Sequence, residues 1–119
     1  MTRRIIPILI ALMGFIHIGA TFSPLISGKL GTLDINTYHA MIYMSLMCGL
    51  LLVALGTYIA WTIGQQSIYS QLEPTIRIAA TLLLLDGVSA ICFMPHNPFA
   101  WTIATLCIIE LFLSFIARR

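Results

Sequence analysis

The sequence predicts an all-α integral membrane protein, a four-helix bundle made of two antiparallel helical hairpins. Of its 119 residues, 60% are hydrophobic and only 8% are charged, and the mean hydropathy is +1.00. Soluble domains carry about 25% charged residues. Four long apolar segments follow one another, and each supplies about 18 or more residues, enough for a helix to cross a hydrocarbon core of ~30 Å. Helices are the expected spans because open strands would leave backbone groups unpaired in lipid.

Prolines and a basic start mark the first span. Pro7 lies in the first turn of the first helix, where its missing N–H costs little. Pro24 is expected to end that helix, because the residue before a proline resists the α conformation. The N-terminus is similar to a signal peptide, but Ile18, three residues before a cleavage at Ala20, is too large, so we expect a retained helix. The four spans are predicted at residues 5–23, 37–63, 75–94 and 98–117, within one domain.

Prolines also mark the second half of the sequence. Pro74 is expected to open the third helix, with Glu73 near its positive end, and Pro95 is expected to close it. Asn97 followed by Pro98 is typical of an N-cap and a first helical residue. Because this connection is so short, the third and fourth helices are expected to form a tight antiparallel hairpin.

The basic residues predict the orientation of the chain. If it crosses the membrane four times, Lys29 falls on one side and all other basic residues fall on the opposite side. By the positive-inside rule the arginine-rich side is cytoplasmic. Both termini are therefore expected in the cytoplasm, with the protein in a bacterial inner membrane. The residues expected on the cytoplasmic side are Arg3, Arg4, Arg77, Arg118 and Arg119.

Small and polar residues recur on each predicted helix at spacings of three, four and seven, so they share one face. In lipid, small residues allow helices to approach closely and polar residues hold them together. These faces are therefore expected to point inward or toward a second subunit. Ionisable residues within a span are expensive and indicate function by default. The candidate ligand- or proton-binding residues are Asp86, Glu110, His17, Ser45, Ser89 and Ser114.

Asp86 and Glu110 are the acidic residues inside the predicted spans. Counted from Arg77 and Arg118, they lie roughly 13 and 12 Å deep at 1.5 Å per residue, on helices expected to be neighbours. Two close carboxylates cannot both ionise in a low dielectric, so a shared proton is expected. His17 is expected roughly 6 Å nearer the outside. The alternative is structural, since a protonated acid bonded to a serine or a backbone carbonyl would also hold helices together.

No cofactor is predicted, although two metal-binding alternatives stay open. Thioether, thiolate and imidazole ligands suit Cu(I), and paired histidines could ligate a haem. Against copper, methionine in membrane helices often serves as flexible packing. The three cysteines have no CxxC spacing, so neither a disulfide framework nor a zinc site is expected. The candidate metal ligands are His39, Met41, Met44, Met94 and His96.

Several classes of function do not fit the sequence. A net charge of +2 is too small for a nucleic-acid surface. The sequence has no Gly-rich phosphate loop, GxSxG or HExxH motif, so we favour a protein that is not an enzyme. One enzymatic alternative is an isomerase, in which His17 with Asp86 or Glu110 would move protons on a lipid-soluble substrate.

In size and number of spans the chain resembles the small multidrug-resistance transporters. Those proteins carry their essential glutamate in the first helix, where this sequence has His17, so we assign no family. Four-helix sterol-binding and isomerase-like membrane proteins are similar in architecture alone. We expect transporter-like binding of a proton, a cation or a small amphipathic ligand, in a homo-oligomer or with a partner membrane protein. The alternative is a structural, accessory or immunity-type subunit of a membrane complex.

Overall fold

The structure is a computed structural model, and it describes residues 2–24, 28, 30–65 and 69–116. A short 3₁₀-helix, η1, covers Thr2–Arg4 and leads directly into the first of four long α-helices within these ranges. These described ranges contain no strand, so the predicted all-α fold is confirmed. The helices are α1 (Ile5–Thr21), α2 (Ile35–Gly64), α3 (Tyr69–Phe93) and α4 (Pro98–Ile116).

Three of the four helices are long and apolar enough to cross a membrane. α2, α3 and α4 have 30, 25 and 19 residues, and stretches within them reach mean hydropathies of 2.0, 1.9 and 2.1. α1 is also apolar but has 17 residues, because it ends at Thr21, two residues before the predicted boundary. At 1.5 Å per residue it covers about 26 Å. The three long helices indicate an integral membrane protein.

Side-chain caps fix the beginning of two helices. At the start of α2, the Asp34 carboxylate accepts the backbone N–H groups of Asn36 and Thr37, each at 3.1 Å. At the start of α4, the Asn97 side chain accepts the backbone N–H of Phe99 at 3.0 Å. These bonds satisfy donors that the first turn of a helix leaves free. The predicted N-cap at Asn97 is confirmed.

The third helix begins earlier than predicted. α3 starts at Tyr69, and Pro74 lies inside the helix instead of opening it. A proline at this position cannot bond to the carbonyl four residues before it, which belongs to the exposed residue Ser70. Glu73 forms an ion pair with Arg77 across the same turn, and pairs at this spacing stabilise a helix. The helix therefore continues through the proline.

Glycines allow α1 and α2 to approach until their backbones touch. A Cβ atom added at Gly56 would lie 2.7 Å from the carbonyl oxygen of Pro7 and 2.8 Å from the nitrogen of Ala11. One added at Gly14 would lie 2.7 Å from the carbonyl oxygen of Gly49. Larger residues at these positions would push the two helices apart, which is the usual role of small residues where membrane helices meet.

α3 and α4 are packed closely as well, because a Cβ atom added at Gly87 would lie 2.9 Å from the Cα atom of Ala104. Packing is most extensive between α1 and α2 and between α3 and α4, and it is less extensive between α2 and α3. The bundle thus consists of two helix pairs, and we call the α2–α3 contact the seam. The core is formed by Ile10, Leu52, Ile59, Ile76, Ala79, Ala80, Leu83, Ile103 and Cys107.

The outer surface of the bundle is apolar. Large side chains such as Phe15, Leu85 and Phe112 are all more than half exposed, which suits contact with lipid because lipid tails do not penalise apolar surface. The orientation prediction rests partly on three basic residues that lie outside the described residues. These are Lys29, Arg118 and Arg119.

Candidate functional site

Asp86, in the second half of α3, meets a thiol of α2. The Sγ atom of Cys48 lies 3.3 Å from both carboxylate oxygens of Asp86 and donates its proton to them. Both residues are half-buried, so this bond crosses the seam where the interior is only partly shielded. A thiol is a weak donor. Within the described residues, Asp86 has no other hydrogen-bond donor.

α1 and α4 contribute to the same region through His17 and Phe99. The Nε2 atom of His17 lies 3.1 Å from the Oγ atom of Ser45, which in turn lies 2.7 Å from the Oγ1 atom of Thr21. The imidazole stacks on the Phe99 ring with centroids 5.4 Å apart. His17 also interacts electrostatically with Asp86. We name four of these side chains the Asp86 cluster: His17, Ser45, Cys48 and Asp86.

The residues of the Asp86 cluster agree only in part with the ligand- or proton-binding residues predicted from the sequence. His17, Ser45 and Asp86 were predicted as ligand- or proton-binding residues, and the structure brings them together. Cys48 was missed, because its position in an apolar run suggests a small buried hydrophobe. The available signal was spacing, since Cys48 follows Ser45 by three residues and shares its face of α2.

Glu110 lies deeper in the bundle than Asp86. Its side chain is fully buried in α4, and neither carboxylate oxygen has a hydrogen-bond partner among the described residues. The charged group that acts on it is Arg3 of η1. The guanidinium of Arg3 donates to the hydroxyl of Tyr69 and, at 3.3 Å, to the backbone carbonyl of Leu113.

The register of α3 and α4 explains why the structure does not bring Asp86 and Glu110 together. Gly87 packs on Ala104, so Asp86 is level with the residue that follows Ala104. Glu110 lies five residues beyond that level, or about 7.5 Å along the helix axis. The prediction of equal depth assumed that Arg77 and Arg118 lie at the same level. In the structure the close contact of Gly87 with Ala104 determines how α3 and α4 are aligned. This geometry does not support a proton shared by the two carboxyls.

The remaining two serines of the predicted set do not join the Asp86 cluster. Ser114 is buried and donates to the carbonyl oxygen of Leu111 in its own helix at 2.6 Å. Ser89 is exposed on α3, although it lies only three residues from Asp86. Its side chain points to the surface of the bundle, so it is not placed to bind a ligand inside it.

The candidate metal ligands lie in the first part of α2 and around the end of α3. The ring of His39 packs edge-on against Tyr38 with centroids 5.7 Å apart. Across residues 2–24, 28, 30–65 and 69–116, no group of three or more His, Cys, Asp or Glu side chains could hold a metal ion. All the candidate ligands are exposed: His39, Met41, Met44, Met94 and His96.

Three long apolar helices indicate a small helical membrane protein, and a polar cluster lies at the seam between its helix pairs. No protein-family model, no curated protein and no solved structure matches the chain.

Proposed function

We propose that the helices form two antiparallel hairpins that cross a bacterial inner membrane four times, with both termini in the cytoplasm. The contacts of α1 with α2 support this topology, because residue numbers rise along one helix as they fall along the other. The first span, α1, covers about 26 Å at 1.5 Å per residue, close to the ~30 Å of a hydrocarbon core. The supporting contacts pair Arg4 with Gly64, Gly14 with Gly49 and Thr21 with Ser45.

We propose that the protein binds a proton, a cation or a small amphipathic ligand at the Asp86 cluster, in the manner of a small transporter. The observation that carries this proposal is a half-buried carboxylate within a span whose donor is the weak thiol of Cys48. A carboxylate in such surroundings is costly unless it takes up a proton or pairs with a cation.

The side chains around Asp86 favour a positively charged ligand over a negatively charged one. The carboxylate supplies the negative charge, and the stacked rings of His17 and Phe99 offer a flat surface on which a cation or an apolar group can pack. Because a proton and a cation would compete for the same oxygens, binding of one releases the other. This competition is the simplest basis for proton coupling.

A second subunit or a partner membrane protein fits this proposal. The described chain measures 53 × 22 × 21 Å, and its helix pairs are held together by backbone contacts. Four helices packed in this way leave little room for a ligand to pass through a single molecule. The half-buried position of Asp86 at the seam suits a path that is completed by another subunit.

Two hydrophobic ions of the same shape and opposite charge test the binding proposal. Purified protein in detergent micelles is titrated with tetraphenylphosphonium and with tetraphenylborate by isothermal titration calorimetry. We expect the wild type to bind the cation in preference to the anion, and to bind it less tightly at acidic pH because a proton competes for Asp86.

Matched variants of α3 complete this experiment. Asp86→Asn is expected to weaken cation binding at least tenfold, or by about 1.4 kcal/mol. Ser89→Ala, an exposed position on the same helix, should bind as the wild type does. Equal binding of the two ions, or cation binding that is unchanged by Asp86→Asn, would contradict the proposed site.

A structural or accessory subunit is the second candidate, and the hydrogen bonds of Ser45 favour it. They connect α2 to both His17 and Thr21 of α1, as a purely structural network would. In that case Asp86→Asn should leave both cation binding and thermal stability near wild type, because an amide oxygen can still accept from Cys48. Loss of binding with unchanged stability would distinguish a ligand site from a structural one.

A further inference from the structure

Glu110 and Arg3 are ionisable groups that the proposed ligand site does not use. Glu110 is 0% exposed, and both of its carboxylate oxygens lack a hydrogen-bond partner within the part of the chain that the structure describes. The Nε atom of Arg3 is buried there without a partner as well. Unsatisfied buried polar groups are rare because water would otherwise have solvated them. Two such groups near each other require an explanation.

The guanidinium of Arg3 is held within one helical turn of Glu110. It donates to the Tyr69 hydroxyl and to the Leu113 carbonyl, and its central carbon lies 5.1 Å from the centre of the Tyr69 ring. Leu113 follows Glu110 by three residues, so the two lie on neighbouring positions of one face of α4, about 4.5 Å apart along the axis. The guanidinium is close enough to interact electrostatically with the Glu110 carboxylate.

We propose that Glu110 is a proton-binding site of its own, and that Arg3 competes with the proton for its carboxylate. In the protonated state Glu110 is a neutral acid, and Arg3 keeps its contacts with Tyr69 and Leu113. When the O–H bond of the acid breaks, the proton leaves to water at the Arg3 end of the bundle. The guanidinium then turns to the carboxylate and donates to both of its oxygens. The net charge of the site falls by one, and neither state leaves an unpaired charge on Glu110.

The other ionisable groups around Glu110 cannot take the place of Arg3. Among the described residues, no ionisable group of α1, α2 or α3 acts on Glu110. Within α4, Cys107 lies close enough to interact with it, but a thiol buried in apolar surroundings stays neutral and inert. Asp86 lies about 7.5 Å away along the axis and interacts with Cys48, His17 and Cys107 but not directly with Glu110. The proton site therefore does not depend on a ligand at the Asp86 cluster.

Infrared spectroscopy tests the proton site directly, because a protonated carboxylic acid has a C=O stretching band that a carboxylate lacks. Purified protein in micelles is titrated from acidic to alkaline pH, in an Asp86→Asn background that removes the other acid within a predicted span. We expect a buried carboxylic-acid band that disappears at alkaline pH and is absent from Glu110→Gln. Glutamine has the shape and neutral charge of the protonated acid, so this variant is expected to fold.

Two further variants test the competition with Arg3, with opposite expected signs. Arg3→Gln should retain the acid band to a pH at least one unit higher, since an opposite charge at close range typically changes such a titration by 1–3 units. Tyr69→Phe removes one resting contact of Arg3, so the band should disappear at a lower pH. Arg3→Lys retains the positive charge and should remain closer to the wild type than Arg3→Gln does.

Some outcomes would overturn this inference while leaving the cation site intact. A band that persists in Glu110→Gln would show that the proton resides elsewhere. A titration that is the same in wild type, Arg3→Gln and Tyr69→Phe would show that Arg3 does not compete for the carboxylate. Tetraphenylphosphonium binding that still depends on Asp86 would then confine the failure to Glu110.

Discussion

Replacing Gly56 by alanine tests the closest contact between α1 and α2. The added Cβ atom would lie 2.7 Å from the carbonyl oxygen of Pro7, and 2.8 and 3.2 Å from the nitrogen and Cα atoms of Ala11. These are backbone atoms, so no side chain can rotate out of the way. Restoring a van der Waals separation of about 3.5 Å requires the helices to move apart by roughly 0.8 Å.

The size of the effect follows from two opposing contributions. Overpacking of this kind costs about 1–3 kcal/mol, whereas alanine gains up to ~1 kcal/mol over glycine in helix propensity. Gly19→Ala on α1 has the second contribution alone, because a Cβ atom there meets nothing within 4 Å. Both variants gain the same helix propensity, so this gain cancels when their free energies of unfolding are compared. Gly56→Ala should therefore be less stable than Gly19→Ala by about 1–3 kcal/mol.

The measurement is the free energy of unfolding in mixed micelles, with dodecyl sulfate as denaturant and far-ultraviolet circular dichroism as the signal. Gly64→Ala is a second control on α2, because the atoms nearest to its Cβ atom would belong to the flexible guanidinium of Arg4. It should resemble Gly19→Ala. If Gly56→Ala proved as stable as both controls, the backbones of α1 and α2 could not approach each other as described.

Two further predictions concern helix ends and the segments that join them. A reporter fused after Arg119 should be cytoplasmic, and a cysteine in place of Lys29 should be labelled from outside; a periplasmic C-terminus would refute four crossings. The hydrogen bond from the Thr37 hydroxyl holds the pKa of Asp34 below its ordinary value. The cap should therefore contribute fully above that ordinary value and weaken as pH falls through the lowered pKa. Asp34→Ala should speed hydrogen exchange at the Asn36 and Thr37 amides at neutral pH, and Asp34→Asn should make their exchange protection independent of this titration.

The fold class could be predicted because it depends on quantities that the sequence displays directly. Composition and segment length together indicate apolar helices. The N-cap residue Asn97, followed by Pro98, locates the start of α4. Pro74 misled the prediction of α3, since a proline near a helix end is tolerated as well as one that opens it. Asp34 was overlooked as an N-cap because Asn36 and Thr37 follow Ile35, so the continuous apolar pattern begins only later.

The candidate site was predictable residue by residue but not as an arrangement. Asp86 and His17 stand out because ionisable residues are rare in apolar spans. Whether Asp86 meets Glu110 depends on the register of α3 against α4. In the structure the close contact of Gly87 with Ala104 determines this register. Such a contact is a property of two surfaces, and no pattern along one chain segment encodes it. The spacing of Cys48 from Ser45 places both residues on one face of α2, but only the packing of α2 against α3 determines that Cys48 meets Asp86.

The helices within each pair meet through backbone contacts at Gly14, Gly56 and Gly87, whereas side chains connect one pair to the other. Among these connections, the hydrogen bond from the Cys48 thiol to the Asp86 carboxylate is a weak one. A ligand bound at Asp86, as proposed above, would replace this hydrogen bond while the glycine contacts within each pair stay in place. Occupancy of Asp86 and the spacing of the helix pairs would then be thermodynamically linked, so a compound that separates the pairs should bind more tightly when Asp86 is already occupied.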